Sequence, residues 1–112
     1  MDEVERLLRL LALNDEASVG MVLANKAQLE SGASVALRPK EDLLVRLGAL
    51  LALGAATTSL RTTVRRAMDA GATEAEIVGV LVSVAPTVGL ARVVSTAPRL
   101  ATAIGYDLEA DE

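Results

Sequence analysis

The sequence predicts an all-α protein, and three observations carry the prediction. Apolar residues recur every three or four positions along most of the chain, the breaks between these runs fall at glycines or at capping residues, and no segment alternates apolar and polar residues long enough to make a strand. Composition agrees: 52% of the 112 residues are hydrophobic and 23% charged, nearly all of the apolar share is Ala, Val and Leu, and Tyr106 is the only aromatic side chain. Such a chain folds by packing helices closely. A single domain of about six to seven helices is expected, with N-terminal helices over residues 1–36 and an acidic tail over 106–112.

Each element has its own signal. Val4, Leu7, Leu8, Leu10 and Leu11 make one helical face between Glu3 and Leu13. Asn14 or Asp15 can cap a second helix through Val19, Val22 and Leu23, with Leu29 continuing the pattern until Ser31-Gly32 interrupts it. Pro39 suits the first turn of a long helix to Leu53, because its missing amide hydrogen would be unpaired there anyway, and Gly54 is a natural stop. Thr57, Thr58 and Ser59 offer caps for the next helix, which runs through Leu60, Val64, Ala67 and Met68 to a left-handed close at Gly71. Thr73 and Glu76 have the spacing of a capping box and start a helix into the Ile77 to Ala85 run. Pro86 predicts a break or a fresh start. Val88 to Ile104 then reads as one helix interrupted near Pro98, or as two, ended by Gly105.

Charge and length exclude several functions. The net charge of -4 argues against nucleic acid as a partner, since phosphate binding needs clustered Lys and Arg. No apolar stretch reaches the roughly 20 residues that span a bilayer, and Met1-Asp2-Glu3 places acids where an export signal carries bases, so no membrane partner and a cytoplasmic location are expected. Acids gather at Asp107, Glu109, Asp111 and Glu112, whereas residues 43–68 hold Arg46, Arg61, Arg65 and Arg66 and no acid. That stretch either pairs with acids on neighbouring helices or subunits, or forms a local field that receives a carboxylate. A mean hydropathy of +0.42 is hard to hide inside one small domain, which predicts a homo-oligomer. The acids lack a convergent metal-ligating set and His and Cys are absent, so neither metal nor cofactor is expected.

Leu37-Arg38-Pro39-Lys40, Leu51-Ala52-Leu53-Gly54, Arg66-Ala67-Met68-Asp69-Ala70-Gly71-Ala72-Thr73-Glu74-Ala75-Glu76-Ile77 and Gly89, in this order and spacing, resemble the carboxymuconolactone decarboxylase and alkylhydroperoxidase-D-like family. The resemblance makes residues 37–105 the family core. It implies an alkylhydroperoxidase-D-like helical bundle that assembles as a trimer or hexamer. In the thiol peroxidase branch a Cys-x-x-Cys pair opens a helix, with a histidine four residues later and a glutamate one helix earlier. Counting from Gly71, those places hold Ala56, Ser59, Thr63 and Leu43. In the decarboxylase branch a histidine occupies the Thr63 place, a second the Ser83 place, and an aromatic residue the Thr87 place. None of these substitutions supplies a thiolate or an imidazole, so the inherited chemistry is expected to be lost.

What remains is a group of hydroxyls, Ser59, Thr62, Thr63, Ser83 and Thr87, beside Arg61, Arg65, Arg66 and Arg92. The hydroxyls either cap helices and bond to carbonyls one turn back, or line a pocket for a small anionic or carbonyl-bearing ligand such as a lactone, with Arg61 or Arg65 as clamp. Arg65 can instead pair with Asp69, whereas Arg92 has no acid within one turn. Two further readings stay open: a non-catalytic module that docks on another protein, and a cysteine-independent decarboxylase or lyase whose proton carrier is Lys40, Tyr106 or a carboxylate.

Overall fold

A computed structural model describes residues 2–25 and 35–109, and the described residues form six helices and no strand. None of these helices is long and apolar enough to cross a membrane. The chain divides into two compact units, Met1–Leu37 and Arg38–Glu112. The first contains α1 (Glu3–Ala12) and α2 (Glu16–Leu23), each opened by an aspartate whose carboxylate accepts a first-turn amide, Asp2 from Glu5 at 2.7 Å and Asp15 from Ser18 at 3.1 Å. Of the two caps open for α2, Asp15 is used, and Asn14 takes the left-handed turn before it (φ +57). Leu29 and Ser31-Gly32, expected to continue and interrupt α2, lie outside the described residues, as do Asp111 and Glu112 of the tail.

The second unit is a bundle of α3 (Pro39–Leu53), α4 (Thr57–Asp69), α5 (Glu74–Val88) and α6 (Leu90–Ile104). Both α3 and α6 pack against α4 and against α5, so α4 and α5 occupy opposite corners. The core is a seam of side chains spaced three or four residues apart: Leu43, Leu47 and Leu51 from α3, Leu60, Val64 and Ala67 from α4, Ile77 from α5, Leu100 and Ala103 from α6. Gly48 lets α5 approach α3 closely. A Cβ placed there would already touch Val80 and Val84 at 3.4 Å.

Several local expectations hold. Pro39 sits in the first turn of α3, Gly54 ends that helix in the left-handed conformation (φ +71), and Thr73 and Glu76 form both bonds of the capping box. Three others are corrected. The N-cap of α4 is Ala56, without a side-chain bond; Thr57, Thr58 and Ser59 fall inside the helix, whose first backbone bond already runs from the Leu60 amide to the Ala56 carbonyl, next to the turn that Arg99 holds at Gly54 and Ala55. Pro86 does not break α5, since it lies in the last turn with an exposed ring, and the chain turns at Gly89 (φ +85) instead. Val88 therefore belongs to α5, and α6 runs unbroken from Leu90 past the exposed Pro98, held by Leu100 and Ala103 beyond it.

The start of α5 is also tied to α3 and to the chain after α6. Lys40 Nζ lies 3.1 Å from Glu76 Oε2, and the Tyr106 hydroxyl donates to Glu74 Oε2 at 2.9 Å. The Thr73 backbone amide and then Lys40 hold the Glu76 carboxyl below its ordinary value of 4.5. A carboxyl depressed in the folded state stabilises the fold fully above its unfolded value, and that contribution is lost as pH falls through the lower folded value. Chemical denaturation should therefore show stability declining once the pH drops below about 4.5, and Glu76→Gln, which keeps a capping oxygen but no charge, should flatten the decline.

Candidate functional site

The turn between α3 and α4 is built by residues from α6. Arg99 Nη1 donates to the carbonyl oxygen of Gly54 at 2.9 Å and lies 3.4 Å from that of Ala55, satisfying acceptors that the end of α3 leaves open. Arg92, two turns earlier on α6, lays its guanidinium against Gly54, where any Cβ would overlap it. Gly54 is thus favoured by its positive φ, while the Arg92 guanidinium, at the end of a flexible and exposed side chain, can move aside for a Cβ. The part played by Arg99 escaped the sequence reading. Its spacing of seven from Arg92 puts the two arginines on one face of α6 and was the available signal.

Immediately after this turn come the positions that the family resemblance points to. Ala56 and Ser59 are exposed at the start of α4, Thr63 is half-buried one turn further on, and Leu43 is a core residue at 6% exposure. Ser83 and Thr87 are exposed on α5, at the opposite corner from α4. Thr62 bonds back to the Thr58 carbonyl at 3.1 Å, as expected for such a hydroxyl, but those of Ser59, Thr63, Ser83 and Thr87 make no hydrogen bond among the described residues.

Arg61 and Arg65 lie elsewhere. They line a cleft of about 410 Å³ between α4 and the end of α6, with Val64, Met68 and Asp69 from α4 and Thr102, Ala103, Ile104 and Gly105 facing them. Helix geometry explains the separation: at about 100° per residue, Thr63 is roughly 160° around α4 from both arginines, so they occupy opposite flanks of the buried stripe. Arg92 lines a different groove of about 350 Å³ with Val88, Ala91 and Ser95. A third concavity, about 500 Å³, lies beside Arg38, Lys40 and Gly71. Thr63 and Ser83 line none of these three. The five ligand-binding candidates are therefore not gathered together: the structure joins Arg61 with Arg65 and leaves Thr63, Ser83 and Arg92 apart.

Arg61 and Arg65, like Arg66 and Arg92, are not consumed by ion pairs among the described residues. Arg46 is paired with Asp42 at 2.8 Å, but the bridge that the spacing allowed from Arg65 to Asp69 is not formed, and Arg61 and Arg65 have no ion pair or side-chain hydrogen bond among the described residues. Lys40 and Tyr106, considered as proton carriers, are engaged with Glu76 and Glu74 at the start of α5. The hydrogen bond to Glu74 raises the Tyr106 phenol above its ordinary value of 10.0, away from the range useful for proton transfer near neutral pH.

A model of the carboxymuconolactone decarboxylase family matches residues 22–103, most of the chain. No curated protein and no solved structure matches it. The Arg99 contact gives a direct test of how the α3–α4 turn is held. Arg99→Met, which keeps the aliphatic stem but removes the donors, should lower unfolding free energy by about 1–2 kcal/mol in urea denaturation.

Proposed function

The chain belongs to the carboxymuconolactone decarboxylase family, and from that premise we propose that it has given up the family's thiol and imidazole chemistry and binds a small organic anion in the α4–α6 cleft. One observation carries the reading: Arg61 and Arg65 stand side by side on the wall of a concave site, and neither forms an ion pair among the described residues, although Asp69 lines the same cleft. Two guanidiniums one helical turn apart present a set of planar donors that matches a carboxylate, and the apolar Val64 and Met68 give the rest of such a ligand a dry surface. The cleft volume lies within the ordinary range for small-molecule sites.

The loss of chemistry rests on the residues themselves. The chain contains neither cysteine nor histidine. A serine or threonine hydroxyl needs a neighbouring base to become a nucleophile, and Ser59 and Thr63 have none within hydrogen-bonding reach among the described residues.

A second reading has its own support. Leu53, Val82, Leu90 and Val94 are 77%, 67%, 79% and 63% exposed on α3, α5 and α6. Apolar side chains left in water at this level favour self-association, as a trimer or hexamer, or docking on another protein. The two readings are compatible, because none of these four residues lines the α4–α6 cleft.

Thermal shift and calorimetric titration with a panel of small carboxylates and lactones test the binding reading. At least one carboxylate should raise the melting temperature, since a ligand specific for the native state adds to its stability. Arg61→Gln and Arg65→Gln should each weaken that ligand about fivefold. Stabilisation that survives both substitutions, or none with any member of the panel, would count against it.

A further inference from the structure

The α4–α6 cleft carries charge of both signs, separated along its length. At one end stand Arg61 and Arg65; one to two turns further along α4 stands Asp69, whose carboxylate forms no ion pair or hydrogen bond among the described residues, and the end of α6 comes toward this side, since Tyr106 just beyond it bonds to Glu74 just after α4. This second end is negative for an additional reason. The amides of Gly105 and Tyr106 bond to the carbonyls of Ala101 and Thr102, and those of Ala103 and Ile104 have no backbone donor among the described residues, at the negative pole of the helix. Val64 and Met68 form an apolar stretch between the two ends.

The separation can be sized from the helix. At about 1.5 Å per residue, Asp69 lies about 6 Å along the axis from Arg65 and about 12 Å from Arg61, and the arginine side chains lean further toward the start of α4. Resting on the anion reading above, we propose that the cleft selects an ω-amino carboxylate. Its carboxylate sits on Arg61 and Arg65, its methylene chain lies over Val64 and Met68, and its ammonium group reaches Asp69 and the end of α6. An α-amino acid carries its two charges too close together to engage both ends.

Three probes with the same six-carbon skeleton separate the possibilities: hexanoate, norleucine and ε-aminocaproate, titrated calorimetrically into the full chain. ε-Aminocaproate should bind about three- to fivefold more tightly than hexanoate, the gain of one solvent-exposed ion pair. Asp69→Asn should abolish that preference while still binding hexanoate at least as tightly as the native chain, since it removes a negative charge from the cleft, and unchanged helical circular dichroism reports that the variant is folded. If hexanoate or norleucine binds the native chain as tightly as ε-aminocaproate, the ω-amino assignment is overturned while the anion reading stands. If Asp69→Asn keeps the preference, the assignment of the ammonium end is overturned. If none of the three binds, the ω-amino assignment is overturned, and the anion reading is decided separately by the wider panel of carboxylates.

Discussion

Helix α4 enters the bundle in a single rotational setting, because Leu60, Val64 and Ala67 must all leave water together. Burying Leu60 and Val64 is worth about 1.5–3 kcal/mol each, and a shift of one residue would exchange this stripe for Arg61, Arg65 and Met68, with two guanidiniums left unpaired in the core. The setting is fixed at its start by α6, whose Arg99 satisfies the carbonyls of the α3–α4 turn while Arg92 covers Gly54. Everything that α4 presents to solvent follows from it. Arg61 and Arg65 go to the α6 side, and Ser59 and Thr63 to the opposite flank.

That division separates two addresses that share one helix. The start of α4 is where relatives in the family place redox or proton-transfer groups, and here it holds an alanine cap, an exposed serine and a half-buried threonine. A helix N-terminus can lower the pKa of a thiol, but no thiol is there to be acted on. The cationic pair lies on the other flank, and its charge is not consumed by Asp69 although the spacing allows the contact. An arrangement with charges of opposite sign in one cleft, unpaired among the described residues, fits a ligand that carries both.

Much of the fold was legible because the signals were local. The capping box at Thr73 and Glu76, the proline opening α3 and the glycine closing it depend on a few neighbouring residues and hydrogen bonds, and the structure reproduces each. The cap of α4 was not legible, since Thr57 to Ser59 are better capping residues than Ala56 and the turn just before Ala56 is held by the long-range contact from Arg99. Pro86 misled for a related reason: a proline is tolerated where its ring faces solvent near the end of a helix, and exposure is a tertiary property. The site was legible only within a single helix. Spacing placed Arg61 beside Arg65, but nothing in the spacing showed that α3 and α6 separate α4 from α5, which keeps Ser83 and Thr87 away from Thr63. Nor could it show that Arg99 crosses from α6 to hold the preceding turn.

Mapping amide chemical shifts while a small carboxylate is titrated into the protein tests the central claim most directly, because it reports which flank of α4 the anion meets. The account requires the changes to centre on Arg61, Arg65, Asp69 and the last turn of α6 from Thr102 to Gly105. Changes centred instead on Ala56, Ser59 and Thr63, or on Ser83 and Thr87, would contradict it and return the site to the address that the family resemblance implies.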